Sequence, residues 1–274
     1  MINTKKTINL SKEGLAWVLS FIILIPLMMV LLNSVKDVTE SATMSLKLPS
    51  EVHWENYLTV LKGGNILRSF LNSLFISSAS TAITILVSAL AAFILARNKT
   101  KASNFVYSVF LLGLVAPINY ISTMKVLQLL HLMNTYMGTY LLYSALYIPF
   151  TIFLYYGFVS TIPTQLDDAA LIDGCGPFRF FYSIIFPMLK PVTMTAFIIN
   201  FLNCWNDFII PLYFLNSSRK WGMIMVMYNY FGQFSSSWNL VSAAMILNLI
   251  PVVLVYVLGQ KYIISGMTAG AVKG

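Results

Sequence analysis

Four aspartates are the side chains whose type and spacing could support chemistry in this chain of 274 residues. Asp167, Asp168 and Asp173 share one charged stretch, whereas Asp207 lies in an apolar one. On a helix, Asp168 and Asp173 would lie about 140° apart at roughly 100° per residue, so they do not form the converging pair that catalysis by two carboxylates needs. A carboxylate at membrane depth is a functional candidate by default, but a structural pair with another helix is the favoured interpretation of Asp207.

The few cysteines and histidines make metal chemistry an unpromising role for this chain. Cys175 lies in the charged stretch and Cys204 in an apolar run, so we expect neither a disulfide nor a metal site. His53 and His131 lie in separate polar segments. The chain has no Gly-x-x-x-x-Gly-Lys-Ser/Thr loop, so we expect that it neither hydrolyses ATP nor holds a cofactor.

The composition is that of an integral membrane protein. Hydrophobic residues make up 58% of the chain and charged residues only 9%, against roughly 25% charged residues in soluble domains. Six apolar runs are long enough to cross about 30 Å of hydrocarbon as helices. The predicted fold is all-α, one transmembrane domain over residues 1–274 with six spans, at residues 15–35, 70–96, 105–127, 139–159, 192–214 and 241–262.

Basic residues predict which ends of the spans face the cytoplasm. Arg97, Lys99 and Lys101 lie between the second and third spans, and the N-terminus is also basic. The positive-inside rule places both in the cytoplasm, so six spans leave both termini there. We expect the first run to be an uncleaved span, because it is too long for the core of a signal peptide. The net charge of +8 then favours contact with anionic lipid rather than nucleic acid.

Small residues and prolines mark where the predicted spans should pack or break. The second span is rich in serine and alanine, which let helices approach closely in lipid. Pro117 in the third span and Pro149 in the fourth each remove a backbone hydrogen bond. Such interrupted helices are expected to face protein or a water-filled cavity.

The segment between spans four and five, residues 160–190, begins with soluble character although it lies between two apolar runs. Thr164 with Asp167 three positions later predicts a helix start, and the helix should run to about Asp173. Gly174 is well placed for a left-handed stop. The first half of the segment is therefore predicted to be a short helix that ends at a glycine.

The second half of the segment should be another short helix. Gly176-Pro177 can begin it, with proline in its first turn, and it should end near Pro187. The result is a helix-turn-helix in which Asp168-Ala169-Ala170 offers small side chains beside carboxylates. Another protein could dock on that surface, and a solvated loop whose acids only cap a helix accounts for the same residues.

A resemblance to a known family favours docking. Asp168-Ala169-Ala170 followed by Asp173-Gly174, upstream of Pro187, resembles the EAA loop of permease subunits of bacterial binding-protein-dependent ABC importers. Asp168 stands where the family usually has Glu, and Cys175 where Ala is common; the shorter acid puts the detailed coupling geometry in question. Similarity to the carbohydrate-uptake branch, and within it to permeases of the maltose-transporter type, covers nearly the whole chain. The residues that carry this similarity are Trp54-Glu55-Asn56-Tyr57, Asn72-Ser73-Leu74, Ala91-Ala92 with Arg97, Trp205-Asn206-Asp207-Phe208 with Pro211-Leu212, and the C-terminal residues 266–274.

The resemblance implies a function and a set of partners. The chain would be a permease subunit, not an enzyme, in the bacterial cytoplasmic membrane, importing a sugar that we expect to be an oligosaccharide. A second permease would complete the pathway, a cytoplasmic ABC ATPase dimer would bind ATP and Mg, and an extracytoplasmic binding protein would deliver the sugar. The residues implied to couple to the ATPase are Asp168, Ala169, Ala170, Asp173, Gly174 and Pro187 of the loop, with Gly266, Thr268, Gly270 and Lys273 of the cytoplasmic tail (263–274) as further candidates.

The tail itself is predicted to be a poor helix, because it is rich in glycine. The resemblance implies that it extends into the ATPase dimer. A frayed terminus is the alternative.

Amides and aromatic rings near the apolar runs are candidates for contact with a sugar. Aromatic faces stack on the C–H surfaces of sugars, and amides bond to hydroxyl groups. The same side chains are common in helix packing and in hydrogen bonds between helices. The candidates are Asn119, Tyr120, Asn200, Asn203, Trp205 and Asn206.

Two other functional classes fit less well. A secondary transporter for a small polar solute would need intramembrane carboxylates or histidine relays, and usually internal repeats. Asp207 is the only aspartate in a predicted span, and no internal repeat is obvious, so a secondary transporter is disfavoured. A membrane-embedded enzyme would need a nucleophile with a base, or paired carboxylates, which the spacing of the aspartates disfavours.

Overall fold

The computed structural model describes the backbone of residues 2–63, 65–230 and 237–271, and the side chains of 13–63, 65–227, 230 and 237–261. Within these residues every regular element is helical, which confirms the all-α prediction. A π-helical turn, Phe181–Ile185, joins the helices Pro177–Phe180 and Phe186–Met188, and two 3-10 turns, Ser218–Lys220 and Met227–Tyr230, flank the helix Met223–Val226. The α-helices are α1 (Ile2–Asn33), α2 (Val38–Ser41), α3 (Glu55–Gly63), α4 (Ile66–Arg97), α5 (Lys101–Gly113), α6 (Tyr120–Leu129), α7 (Tyr136–Val159), α8 (Gln165–Ile172), α9 (Pro177–Phe180), α10 (Phe186–Met188), α11 (Lys190–Asn206), α12 (Ile209–Phe214), α13 (Met223–Val226) and α14 (Trp238–Ala271).

Four helical stretches of the described chain are long and apolar enough to cross a membrane: Glu13–Asn33, Ile66–Arg97, Tyr136–Val159 and Trp238–Lys261. A fifth candidate is a bent pair, Pro177–Met188 and Lys190–Asn206, whose helices meet at 76°. The structure therefore contains four or five candidate spans by length and composition. The predicted third span, residues 105–127, is not among them.

The predicted third span differs because it is not one continuous helix. Residues 105–127 are divided between α5 and α6, and residues 114–119 form the break. Pro117 lies in that break, where it has no amide proton to donate and where it disfavours helical backbone at the residue before it. Asn119 then starts α6, since its Oδ1 accepts a hydrogen bond from the Ser122 amide at 2.9 Å.

The predicted fifth span, residues 192–214, is interrupted as well. Helix α11 ends at Asn206, Asp207 has extended backbone (φ −78°, ψ 125°), and α12 begins at Ile209. We call residues 207–208 the helix break.

The C-terminal tail is helical as far as Ala271, although its glycines predicted a poor helix. Extending an existing helix adds one hydrogen bond for each residue that is fixed and needs no new nucleus, which outweighs the poor propensity of the glycines. Gly266, Thr268 and Gly270 lie within α14. Lys273 lies outside the described residues.

The chain divides into two units, one formed by Met1–Leu67 with Val226–Ile250 and the other by Arg68–Met225 with Pro251–Gly274. In the first unit, the buried amide of Asn56 donates to the carbonyls of Ser34 (3.0 Å) and Lys36 (2.8 Å). Its Oδ1 accepts from Asn239 Nδ2 at 2.9 Å. Asn56 therefore ties α3 to the end of α1 and to the start of α14.

In the second unit, α4 packs through its small residues, as predicted. Ser88, Ala89 and Ala92 have no exposed surface. Nearer its N-terminal end, Asn72 makes three hydrogen bonds. Its Nδ2 donates to the carbonyls of Arg219 (2.9 Å) and Trp221 (3.0 Å), and its Oδ1 accepts from the hydroxyl of Tyr136 (2.9 Å).

Helix α7 is joined to α11 and to Asp207, the residue that follows α11, by three hydrogen bonds between side chains, which we call the polar ladder. Thr193 and Asn200 are seven residues apart, so they share one face of α11. The bonds join Tyr155 to Thr193 at 2.8 Å, Asn200 to Thr151 at 2.9 Å, and Tyr143 to Asp207 at 2.9 Å. The ladder holds α11 against α7. These two helices precede and follow the 160–190 loop in sequence.

Candidate functional site

Helix α8 ends at a glycine in the left-handed conformation, as the sequence predicts. Gly174 has φ +67°. Its amide donates to the carbonyl of Leu171 at 3.1 Å, and the amide of Cys175 donates to that of Ala170 at 2.9 Å. These two bonds form a Schellman motif, which satisfies carbonyls at the helix end.

The end of α8 and the start of α9 expose large apolar side chains. Leu171 is 80% exposed, Ile172 85% and Phe178 75%. The carboxylates of Asp168 and Asp173 are exposed beside them. We call these five residues the loop tip. An exposed apolar patch rimmed by polar groups is typical of a protein-interaction site.

The predicted coupling residues fall into two places. Asp168 and Ala169 are exposed on α8, whereas Ala170 is buried and contributes to the helix cap. Pro187 lies exposed in α10, in the second half of the loop. A cleft of about 260 Å³ lies between the two halves of the loop. It is lined by Ala170, Asp173, Cys175, Arg179, Ser183 and Ile184.

The back of the loop is buried against α4. Ile162, Phe181 and Ile185 are buried and share an apolar cluster with Ala89 and Ala92 of α4. The loop therefore has a fixed side and a free side, and its tip lies on the free side.

An ion pair that sequence reasoning missed fixes the first half of the loop. Arg97, the last residue of α4, places Nε 2.8 Å from Oδ2 of Asp167 and donates from Nη2 to Oδ1 at 3.1 Å. Its Nη1 donates to the carbonyl of Ile162 at 3.0 Å. The sequence identifies Arg97 as a basic residue that also belongs to the family resemblance, and Asp167 as an acid in a first helical turn. Nothing in the spacing links them, since they are far apart along the chain.

The six sugar-contact candidates differ in exposure. Asn200 and Trp205 are buried, and Trp205 packs between Phe70 and Phe201, with ring centroids 5.7 and 5.6 Å away. Tyr120 is half-buried and its ring lies 5.3 Å from that of Tyr213. The other three candidates are exposed, namely Asn119, Asn203 and Asn206.

Asp207 is engaged in structure, which supports the interpretation favoured from the sequence. Its Oδ2 accepts from the hydroxyl of Tyr143 at 2.9 Å and from the amide of Ile210 at 3.2 Å. Its Oδ1 accepts from the amide of Ile209 at 3.1 Å. The carboxylate thus caps the start of α12 and joins it to α7.

Outside the apolar helices, hydrogen bonds shift the pKa of three side chains, His53, Glu55 and Asp37. Nδ1 of His53 lies 2.5 Å from Oε1 of Glu55, and this hydrogen bond raises the pKa of His53 and lowers that of Glu55. The amide of Glu40 donates to Asp37 at 2.6 Å, which lowers the pKa of Asp37 at the start of α2. Among the described side chains, no group of three or more His, Cys, Asp or Glu could hold a metal ion.

Comparison with known proteins adds a family context. The family model described as the inner membrane component of binding-protein-dependent transport systems matches residues 85–269. The multiple sugar-binding transport system permease protein MsmG of Streptococcus mutans is 38% identical over 258 residues, 92% of either chain. The probable starch degradation products transport system permease protein AmyC of Thermoanaerobacterium thermosulfurigenes is 33% identical over 258 residues, 93% of this chain and 94% of that one.

Solved structures share the fold. A chain of a bacterial ABC transporter involved in the import of the acidic polysaccharide alginate superposes with a TM-score of 0.82 at 17% identity. The match covers 94% of this chain and 97% of that one.

Proposed function

Because the chain belongs to the family of inner membrane components of binding-protein-dependent transport systems, we propose that it is the permease subunit of an ATP-driven sugar importer. It contributes half of the translocation pathway, and a second permease contributes the other half. ATP and Mg are bound by a separate cytoplasmic ATPase dimer. An extracytoplasmic binding protein delivers the sugar.

The loop tip is the observation that carries this proposal. Its three apolar side chains are 75–85% exposed, and burying each of them on a partner would contribute about 1.5–3 kcal/mol. The carboxylates of Asp168 and Asp173 beside them favour a partner cleft with an apolar floor and a basic rim. We assign that cleft to the ATPase, with Asp168, Ala169, Asp173 and Gly174 at the contact and Pro187 nearby in α10.

The relatives support sugar as the substrate class. Their names refer to starch degradation products, to melibiose, raffinose and stachyose, and to arabinooligosaccharides. Most of these are oligosaccharides, so we propose an oligosaccharide for this chain. Asn119, Tyr120, Asn203 and Asn206 are the candidates with exposed surface, whereas Asn200 and Trp205 would act by holding α11 in place.

The topology follows from treating each interrupted helix as one span. Helices α5 and α6 together form the third span, and α11 with α12 the fifth, giving six spans in one permease domain over residues 1–274. By the positive-inside rule, Arg97, Lys99 and Lys101 support a cytoplasmic location for the 160–190 loop and both termini. The tail, including Gly266, Thr268, Gly270 and Lys273, would then extend α14 towards the ATPase dimer.

The mechanism is a rigid-body movement driven from the loop. Closure of the ATPase dimer would draw the loop tips of the two permeases together and rock their helices from inward-open to outward-open. The bound sugar would then leave the binding protein for the pathway.

A pull-down from mild detergent tests this function. The tagged chain is purified from its native membrane, ATPase activity is assayed in the eluate, and the co-purifying subunits are sized. We expect a second multispanning protein and an ATP-hydrolysing subunit. Replacing residues 168–174 by a Gly/Ser linker should lose the ATPase but keep the second permease.

Two results would contradict the proposal. A chain that purifies alone and without ATPase activity under gentle conditions would favour a secondary transporter. An ATPase that remains bound to the linker variant would show that the loop tip is not the contact.

A further inference from the structure

The end of α4 holds both halves of the 160–190 loop through two residues one helical turn apart. Arg97 holds the first half, since its guanidinium contacts Asp167 of α8 and the carbonyl of Ile162. Phe93 holds the second half. Its ring centroid lies 5.9 Å from that of Phe180 and 5.5 Å from that of Phe181.

The two residues also contact each other. Cζ of Arg97 lies 6.0 Å from the centre of the Phe93 ring, within the range of a cation–π interaction. The Arg97 side chain is only 14% exposed and that of Asp167 27% exposed, so this ion pair is less screened than one on an open surface. Two contacts between the planar guanidinium and the carboxylate also restrict the orientation of the Arg97 side chain relative to Asp167. We call Phe93 and Arg97 the α4 clamp.

The clamp adds a connection that the covalent chain does not provide. The loop continues directly into α7 and α11, so those two helices follow its movement in any case. Helix α4 does not adjoin the loop in sequence. Within the described residues it contacts the loop through Arg97 and Phe93 and through the apolar cluster that contains Ala89 and Ala92. We propose that Phe93 and Arg97 are positioning residues through which movement of the loop is transmitted to α4, so that coupling of ATP hydrolysis to transport depends on them. This inference rests on the proposed function, because it assumes that an ATPase moves the loop.

The test is a double-mutant cycle in the complete importer, reconstituted in vesicles with its sugar and binding protein. Arg97→Gln, Asp167→Asn and the double variant are compared for subunit recovery, ATP hydrolysis without sugar, and sugar imported per ATP hydrolysed. We expect Arg97→Gln to recover all subunits and to keep its hydrolysis without sugar. Sugar imported per ATP should fall about tenfold, within the usual range of coupling between sites.

The cycle separates positioning from a general loss of structure. Sugar imported per ATP should be no lower in the double variant than in either single variant, because the two side chains act as one contact. Arg97→Lys should restore part of the ratio, since an ammonium keeps the charge but cannot contact Asp167 and Ile162 with the same fixed geometry. Lys99→Gln is the matched control, because it removes an exposed cation two residues further along.

Three outcomes would overturn the inference: unchanged sugar import per ATP in both single variants, effects that multiply in the double variant, or an equal loss in Lys99→Gln. If the single variants lose subunits, Phe93→Leu provides the second measurement, because it keeps an apolar side chain but loses the ring contacts. A normal import ratio in that variant would also overturn it. Failure of the proposed function is a separate result, because the unmodified chain would then recruit no ATPase.

Discussion

The 160–190 loop and the helix break at residues 207–208 each depend on an aspartate, but the two carboxylates are held differently. Asp167 contacts the charged guanidinium of Arg97 and keeps 27% of its side chain exposed. Asp207 accepts from one hydroxyl and two backbone amides, all of them neutral donors. The first contact joins a loop with an exposed tip to a distant helix, whereas the second stabilises a local interruption between helices. We therefore expect changes at the loop to affect coupling, and changes at the helix break to affect stability.

The largest effect should come from Gly174→Val, at the loop. Valine does not readily adopt φ +67°, so the stop of α8 would be lost and the loop tip would be displaced. We expect the protein to remain in the membrane but to lose transport-coupled ATPase activity. Sugar-stimulated ATP hydrolysis by the purified complex measures this.

Gly176→Val is the control for that substitution. Gly176 has φ −66°, which valine tolerates, and an added Cβ at either glycine meets open space. Coupled turnover at the wild-type rate in Gly174→Val would contradict the role of the loop. An equal loss in both variants would show that added bulk, not backbone conformation, is responsible.

Asp207→Asn should have the next largest effect, on assembly and stability. The asparagine side chain keeps one acceptor oxygen, but its NH₂ group replaces the other oxygen and faces a donor, either the hydroxyl of Tyr143 or a backbone amide. An unsatisfied buried group of this kind lowers the stability by about 1–3 kcal/mol. We expect less assembled complex and a lower thermal midpoint in detergent, with unchanged sugar preference. A changed sugar profile with normal assembly would instead assign Asp207 to the substrate pathway.

Tyr143→Phe sharpens the same measurement because it removes only the hydroxyl that donates to Asp207. We expect the thermal midpoint to fall less than in Asp207→Asn, because only one of the three hydrogen bonds to the carboxylate is removed. Tyr147→Phe, one turn along α7, is the control, since no hydrogen bond of its hydroxyl is seen within the described residues. Equal shifts of the thermal midpoint in both variants would contradict a specific role of the Tyr143–Asp207 bond.

A smaller effect is expected from Thr151→Val in the polar ladder. Valine keeps the shape of threonine but removes the oxygen that accepts from Asn200. Hydrogen bonds between membrane helices contribute about 0.6 kcal/mol on average. The thermal midpoint should therefore fall less than for Asp207→Asn. A larger fall would show that the Asn200–Thr151 bond, and not the helix break, dominates the stability of this region.

The smallest effect should be a pH dependence at His53 and Glu55. The raised pKa of His53 stabilises the fold fully below its ordinary value of 6.5, and this contribution is lost as the pH rises through the higher folded value. The lowered pKa of Glu55 contributes above its ordinary value of 4.5 and is lost as the pH falls through the lower folded value. The pair therefore contributes most between these two ordinary values. Thermal midpoints of His53→Gln should differ from wild type at about pH 5.5 and converge with it well above the raised pKa; a constant difference would contradict the assignment.

The sequence predicted what depends on local patterns. Hydrophobic length identified the first, second, fourth and sixth spans, and a glycine after a short acidic helix identified the stop at Gly174. It marked Pro117 as an interruption of the third span, and the structure has the break between α5 and α6 there. It marked Pro149 in the same way, but α7 continues through that proline. The pairing of Arg97 with Asp167 could not be predicted from the sequence either, because two residues about 70 positions apart are brought together only by the packing of the helices.

Helix α4 is fixed near both ends, and this constrains its length. Asn72 and Arg97 are about 25 residues apart, which at roughly 100° per residue brings them back to within about 20° of the same direction around the helix. Inserting or deleting one residue between them would turn one end by about 100° relative to the other and separate one set of contacts from its partners. Substitutions on the lipid side of α4 should therefore accumulate freely among related permeases, whereas its residue count between these two positions should stay constant. Chimeric permeases need to exchange this helix as a whole.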